Sequence, residues 1–147
     1  LGLSMGGFGA LSLGLRYPRV FGMLVALSPT DMELATHAKP KRKIYTNVFG
    51  APLDKKRVRA LNPRRLVAGG AGESQLVLVA WGDREPKKFK VGAHRLRKAL
   101  RKAGLQSAFH EVQGGKHSFS KTWGPETVDW FLAGLGRHLA AGKKSAP

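Results

Sequence analysis

The 147-residue sequence contains no cysteine. That excludes a disulfide framework and thiolate metal sites, and it leaves the redox compartment open. No apolar run is long enough to cross a membrane, and the start shows no basic-then-apolar leader. H-E-x-x-H is absent, and His37, His94, His110 and His138 stand at no ligand spacing, so no metal site is expected. Gly7-Phe8-Gly9 begins a dinucleotide fingerprint, but Ser12 occupies the place of its third small residue. No phosphate-binding G-x-x-x-x-G-K loop follows. No cofactor is therefore expected.

Acidic residues are also scarce. Nine Asp and Glu face 26 Lys and Arg, for a formal net charge of +17. The basic residues concentrate between Lys39 and Arg65 and between Arg84 and Lys102. Such a balance suits nucleic acid, an anionic surface or an acidic substrate, and it also suits a merely solvated surface. The second cluster fits the polar faces of a helix, and no nucleic-acid fold signature accompanies either cluster. A solvated face is the default, without specific nucleic-acid recognition.

With 42% hydrophobic residues the chain is expected to be globular. Gly6 to Tyr17 is apolar nearly all round, as in a buried helix, and Pro18 stops it. Val20 to Leu27 reads as a strand buried on both faces, ended by Ser28-Pro29. From Thr30 to Gly72 the pattern weakens: Lys39 to Lys43 reads as an exposed loop, Asp54 to Leu61 as a short helix, Asn62-Pro63 as a break and Gly69 to Gly72 as a flexible turn. Gln75 to Ala80 is a second strand. Phe89, Ala93, Leu96, Leu100 and Ala103 form one helical stripe, closed by Gly104. Ser107 to Val112 is a third strand, and Pro125 opens a last helix. This alternation predicts an α/β sandwich of helices on about three parallel strands.

Gly2-Leu3-Ser4-Met5-Gly6 fits G-x-S-x-G, the nucleophile elbow of α/β-hydrolases. Ser4 would sit on a strained strand-to-helix turn with Oγ above the sheet. Side chains at positions 2 and 6 would collide there, so both want glycine. The N–H of Met5 would be one oxyanion-hole donor, aided by the helix N-terminus. The pentapeptide alone is a weak signal, because a Gly-rich turn matches it by chance. An elbow further requires an acid after a later strand and a histidine after the next. Trp81-Gly82-Asp83-Arg84-Glu85-Pro86 follows the second strand, and Gln113-Gly114-Gly115-Lys116-His117 follows the third. His117 would exchange a proton with Ser4, and the acid would hold its tautomer.

Gly-Leu-Ser-Met-Gly-Gly, the helix-ending Tyr17-Pro18 and Gly-Gly-x-His together resemble the esterase-D-type family of α/β-hydrolases. That family includes S-formylglutathione hydrolases, enterochelin-type esterases, feruloyl esterases and mycolyltransferases. The resemblance implies a three-layer α/β-hydrolase sandwich, with residues 1–140 as the C-terminal part of a single domain that starts at the elbow, and 141–147 as a disordered tail. It implies a serine esterase acting on a small ester or thioester, with acyl transfer to another alcohol as the alternative within the fold and a basic binding module as the alternative outside it. The family's acid stands three residues after the strand-ending glycine, which is Glu85; Asp83 is the alternative. Trp81, Trp123 and Trp130 are candidates for an acyl pocket, Trp123 foremost, with packing beneath loops as the other reading. With its leading strand and second oxyanion donor upstream, residues 1–147 alone are expected to be neither stably folded nor active. Substrate, oligomeric state and localisation stay open.

Overall fold

The computed structural model describes residues 1–72 and 75–144. Strand β1 (Gly2–Leu3) leads through α1 (Met5–Arg16) to β2 (Met23–Leu27). Four short helices follow: α2 (Met32–Ala38), α3 (Lys43–Phe49), α4 (Lys55–Ala60) and α5 (Pro63–Ala68). Then come β3 (Leu76–Gly82), α6 (Lys87–Lys102), β4 (Ser107–Val112), α7 (Phe119–Thr122) and α8 (Pro125–Lys144). The strands form one sheet in the order β1-β2-β3-β4, all parallel.

Parallel strands are covered on both faces, so they read as continuous apolar runs. Every residue of β3 is buried. Alternation along the strands sends Leu24, Ala26, Val77, Val79 and Trp81 to one face, where α1, α5 and α6 cover them. Val25, Leu27, Leu78 and Ala80 point to the other face, beneath Trp130 and Phe131 of α8. Full burial of a Leu such as Leu11 or Leu100, both at 0% exposure, contributes on the order of 1.5–3 kcal/mol. The result is the three-layer α/β-hydrolase arrangement.

The structure differs from the sequence expectations at several points. The sheet has a fourth member, because Gly2 and Leu3 pair with Ala26 and Leu27 and so form the end of the strand that leads into the elbow. Strand β2 starts three residues later than expected. The amides of Val20 and Phe21 bond back to the Tyr17 carbonyl in a turn, which leaves Val20 exposed. Helix α1 is buried along one side only, with Leu13 at 52% exposure on the other. The weakly patterned segment holds four helices rather than one. The Asn62-Pro63 break is in fact a helix start, with Asn62 capping the Arg64 amide and Pro63 in the first turn. Lys43 opens α3 rather than ending an exposed loop. Helix α8 continues to Lys144, past the expected end near residue 140, and residues 145–147 lie outside the described ones.

Candidate active site

The C-terminal ends of β1, β3 and β4 lie at one edge of the sheet, and each carries one candidate residue. Ser4 ends β1. Its backbone has φ 57° and ψ −119°, a conformation that costs a non-glycine residue about 1–3 kcal/mol and persists only where its surroundings enforce it. Those surroundings are tight. A Cβ on Gly2 would stand 2.2 Å from the Gly6 carbonyl oxygen, and one on Gly7 would stand 2.9 Å from the Gly2 carbonyl oxygen. A Cβ on Gly6 would meet nothing within 4 Å. The steric demand at this turn therefore falls on Gly2 and Gly7, not on Gly2 and Gly6 as the motif suggested. The Ser4 carbonyl accepts from the amides of Phe8 and Thr30, both at 3.1 Å, which locks the turn to α1 and to the segment after β2.

The second and third loops approach each other through glycine. Gly82, at the end of β3, lies so close to Gly115 that a Cβ on it would stand 2.2 Å from the Gly115 carbonyl oxygen. Gly114 turns the chain with φ 68°. This backbone contact brings the loop after β4 against the loop after β3. Glu85 is thereby held with its side chain fully buried, one oxygen accepting from the Gly82 amide at 3.1 Å and from the Ser28 hydroxyl. Its other oxygen lies 3.3 Å from Nδ1 of His117. Nε2 of His117 lies 2.9 Å from Oγ of Ser4. The tautomer that satisfies both contacts carries its proton on Nδ1 and offers the Nε2 lone pair to the serine hydroxyl. The Phe89 ring stacks on the imidazole at 3.7 Å between centroids and 17° between planes. Oγ1 of Thr30 stands 3.3 Å from Oγ of Ser4.

Asp83 occupies a different place. Its amide donates to the Val112 carbonyl, its own carbonyl accepts from Nζ of Lys90, and its buried Oδ1 has no hydrogen-bond partner among the described residues. It makes no hydrogen bond to His117. Met5 is the first residue of α1, where an amide has no carbonyl one turn back to bond, so its N–H stands free for an oxyanion at the positive end of the helix.

A cavity of about 270 Å³ opens beside Ser4. Its walls include Met5, Met32, Leu34 and Ile44, with Tyr45 and Phe89 as aromatic sides. Trp123 does not line it. That residue lies against Phe119 and Phe131 and packs on the face of the sheet covered by α8. Trp81 is buried in the sheet with its indole N–H donated to Glu111, and Trp130 stacks on His110. None of the three tryptophans lines this cavity.

The sequence matches the family described as "Putative esterase" over residues 1–132. The chain belongs to this esterase family. Solved structures agree on the fold. A ferulic acid esterase superposes with a TM-score of 0.61 at 21% identity, over 82% of this chain and 44% of its own. Esterase B from Lactobacillus rhamnosis, inhibited by a tributyrin phosphonate, gives 0.63 at 19%, over 97% and 52%. An S-formylglutathione hydrolase from Agrobacterium tumefaciens gives 0.59 at 22%, over 80% and 41%. The chain thus spans about half or less of the length of these structures. No curated protein matches the sequence with significance.

Within this esterase-family chain, three contributors at the site escaped sequence reasoning. The spacing of Phe89 assigns it to the core stripe of α6, but its ring stacks on His117. Ser28 and Thr30 flank Pro29 in what read as a plain strand end, yet one holds Glu85 and the other touches Ser4. The remaining histidines stay apart from the site. His94 packs edge-on to Trp81, His138 meets Gln106, and His37 is exposed. Among the described residues no cluster of three His, Asp or Glu could hold a metal, and no helix is long and apolar enough to cross a membrane.

Proposed function

We propose that this chain carries the catalytic centre of a serine hydrolase that cleaves a carboxylic ester or thioester through an acyl-enzyme on Ser4. The observation that carries the reading is the continuous hydrogen-bonded path from Ser4 Oγ through both nitrogens of His117 to the buried Glu85. In the first half-reaction Nε2 of His117 takes the Ser4 proton while Oγ bonds to the acyl carbon. The oxyanion that forms meets the Met5 N–H at the N-terminus of α1. The imidazolium then protonates the leaving alcohol or thiol as the C–O or C–S bond breaks. In the second half-reaction water gives its proton to the same nitrogen, attacks the acyl carbon and releases the acid, and Ser4 recovers its proton. Glu85 orients the ring and faces its transient charge. The residues named need no cofactor for these steps.

The decisive test is steady-state hydrolysis of p-nitrophenyl esters by the full-length protein. Ser4→Ala and His117→Ala should each lower kcat by about 10³ or more, with little change in folding. Undiminished turnover in Ser4→Ala would overturn the reading.

A further inference from the structure

Of the 26 basic residues, three stand at the cavity beside Ser4: Lys39, Arg42 and Lys88. All three are exposed, and none makes an ion pair among the described residues. Two of them are seated on the cavity's own walls. The Arg42 guanidinium lies 5.5 Å over the Tyr45 ring, with Nη1 3.4 Å from the phenol oxygen. Lys88 Nζ lies 4.9 Å over the Phe89 ring, which itself stacks on His117. Such cation–π contacts bias a long side chain toward its aromatic partner.

Among the described residues the cavity has one carboxylate, Asp31, and it is already engaged. Its Oδ1 accepts from the amides of Glu33 and Leu34, capping α2, and its Oδ2 lies 3.0 Å from Nη2 of Arg64. The neighbouring basic residues differ in this respect. Arg59, Arg64 and Arg65 all converge on Glu33, at 3.6, 2.9 and 3.3 Å. The positive charge left without a counter-charge thus rims a concave site with apolar walls, a shape that concentrates its field on whatever enters. A guanidinium there offers a planar fork matched to a carboxylate or a similar oxyanion.

We infer that the ester taken by this site is anionic, with an apolar segment next to the reacting carbonyl and a carboxylate or comparable oxyanion held between Lys39, Arg42 and Lys88. This rests on the hydrolase reading above and adds the substrate class to it. The oxyanion can belong to the acyl part or to the leaving group, and two pairs of substrates separate these cases.

The experiment measures kcat/KM of the full-length protein for p-nitrophenyl hydrogen adipate against its neutral methyl ester, and for 3-butyryloxybenzoate against its methyl ester. At low ionic strength the anionic member of at least one pair should be preferred about tenfold or more, as expected where charges meet in a partly desolvated site. The preference should shrink as salt shortens the screening length to a few ångströms at about 1 M. Arg42→Gln should cut the ratio several-fold, Arg42→Lys should keep most of it, and Arg42→Glu should reverse it. Preference in the first pair assigns the anion to the acyl part, and preference in the second assigns it to the leaving group. Ratios near one in both pairs, or a preference unmoved by Arg42→Glu, would overturn the inference while leaving the hydrolase intact. Absence of turnover with all four esters would overturn the hydrolase reading and this inference with it.

Discussion

Two regions face each other across the cavity. On one side are the loops that end β1, β3 and β4, carrying Ser4, Glu85 and His117. On the other are the short helices α2 and α3. The loops are fixed by backbone: Gly82 and Gly115 pack so closely that an added Cβ would stand 2.2 Å from a carbonyl oxygen, and Ser4 is held at φ 57° by its neighbours. These helices are seven residues long, only α2 has a side-chain cap, from Asp31, and α3 leaves Ile44 and Val48 exposed at 42% and 41%. A proton relay tolerates displacements of a fraction of an ångström, and sheet-anchored backbone supplies that rigidity. A wall that selects substrates needs only suitable side chains, which short helices can present and exchange. The comparison therefore predicts loss of chemistry from changes on the first side and altered selection from changes on the second.

The largest effect short of removing the serine or histidine should come from the acid. Glu85→Gln should lower kcat by about 10³–10⁴, because the amide offers Nδ1 the wrong partner for the working tautomer. Asp83→Asn should stay within about threefold. Kinetics showing the reverse would move the acid to Asp83 and break the geometric argument.

Next in size is a stability effect. Gly82→Ala should destabilise the full-length protein by about 1–3 kcal/mol or more in denaturant unfolding, since the new methyl meets backbone that cannot yield easily. Gly6→Ala should cost little or even stabilise, having no such contact and gaining helix propensity. Equal losses at both positions would contradict the difference between the close Gly82–Gly115 contact and the open position of Gly6.

The smallest effect should lie in the helical region. Ile44→Ala should raise KM for medium-chain neutral esters by about fivefold, equivalent to about 1 kcal/mol of lost apolar contact, with kcat nearly unchanged. A large fall in kcat instead would show that α3 also shapes the catalytic geometry.

These two regions also differed in how far the sequence disclosed them. The three longer strands, α6 and α8 announce themselves through extended apolar runs and a stripe of steps of three and four, because burial of a whole sheet face imposes such patterns. Gly2 at the elbow and Gly115 in the approach to His117 were visible because steric exclusion leaves glycine as the residue that fits. Helices α2, α3 and α5 were not visible. Two turns contain too few residues to show a period, and their signals are single caps such as Asp31 and Asn62 that also occur in turns. Phe89 was misplaced because its spacing from Ala93 fits the core stripe, while its location in the first turn of α6 puts it over the histidine. Ser28 gave no signal, since its role depends on Glu85 arriving from 57 residues away.

The central claim is that Ser4 is the nucleophile, activated by His117. Covalent labelling of the full-length protein with a fluorophosphonate tests it most directly, because the adduct reports the reactive oxygen independently of any choice of substrate. Intact-mass and peptide analysis should find one adduct, on Ser4, absent in Ser4→Ala and formed at least about 100-fold more slowly in His117→Ala. An adduct on another residue, or labelling that survives Ser4→Ala at the same rate, would contradict the account.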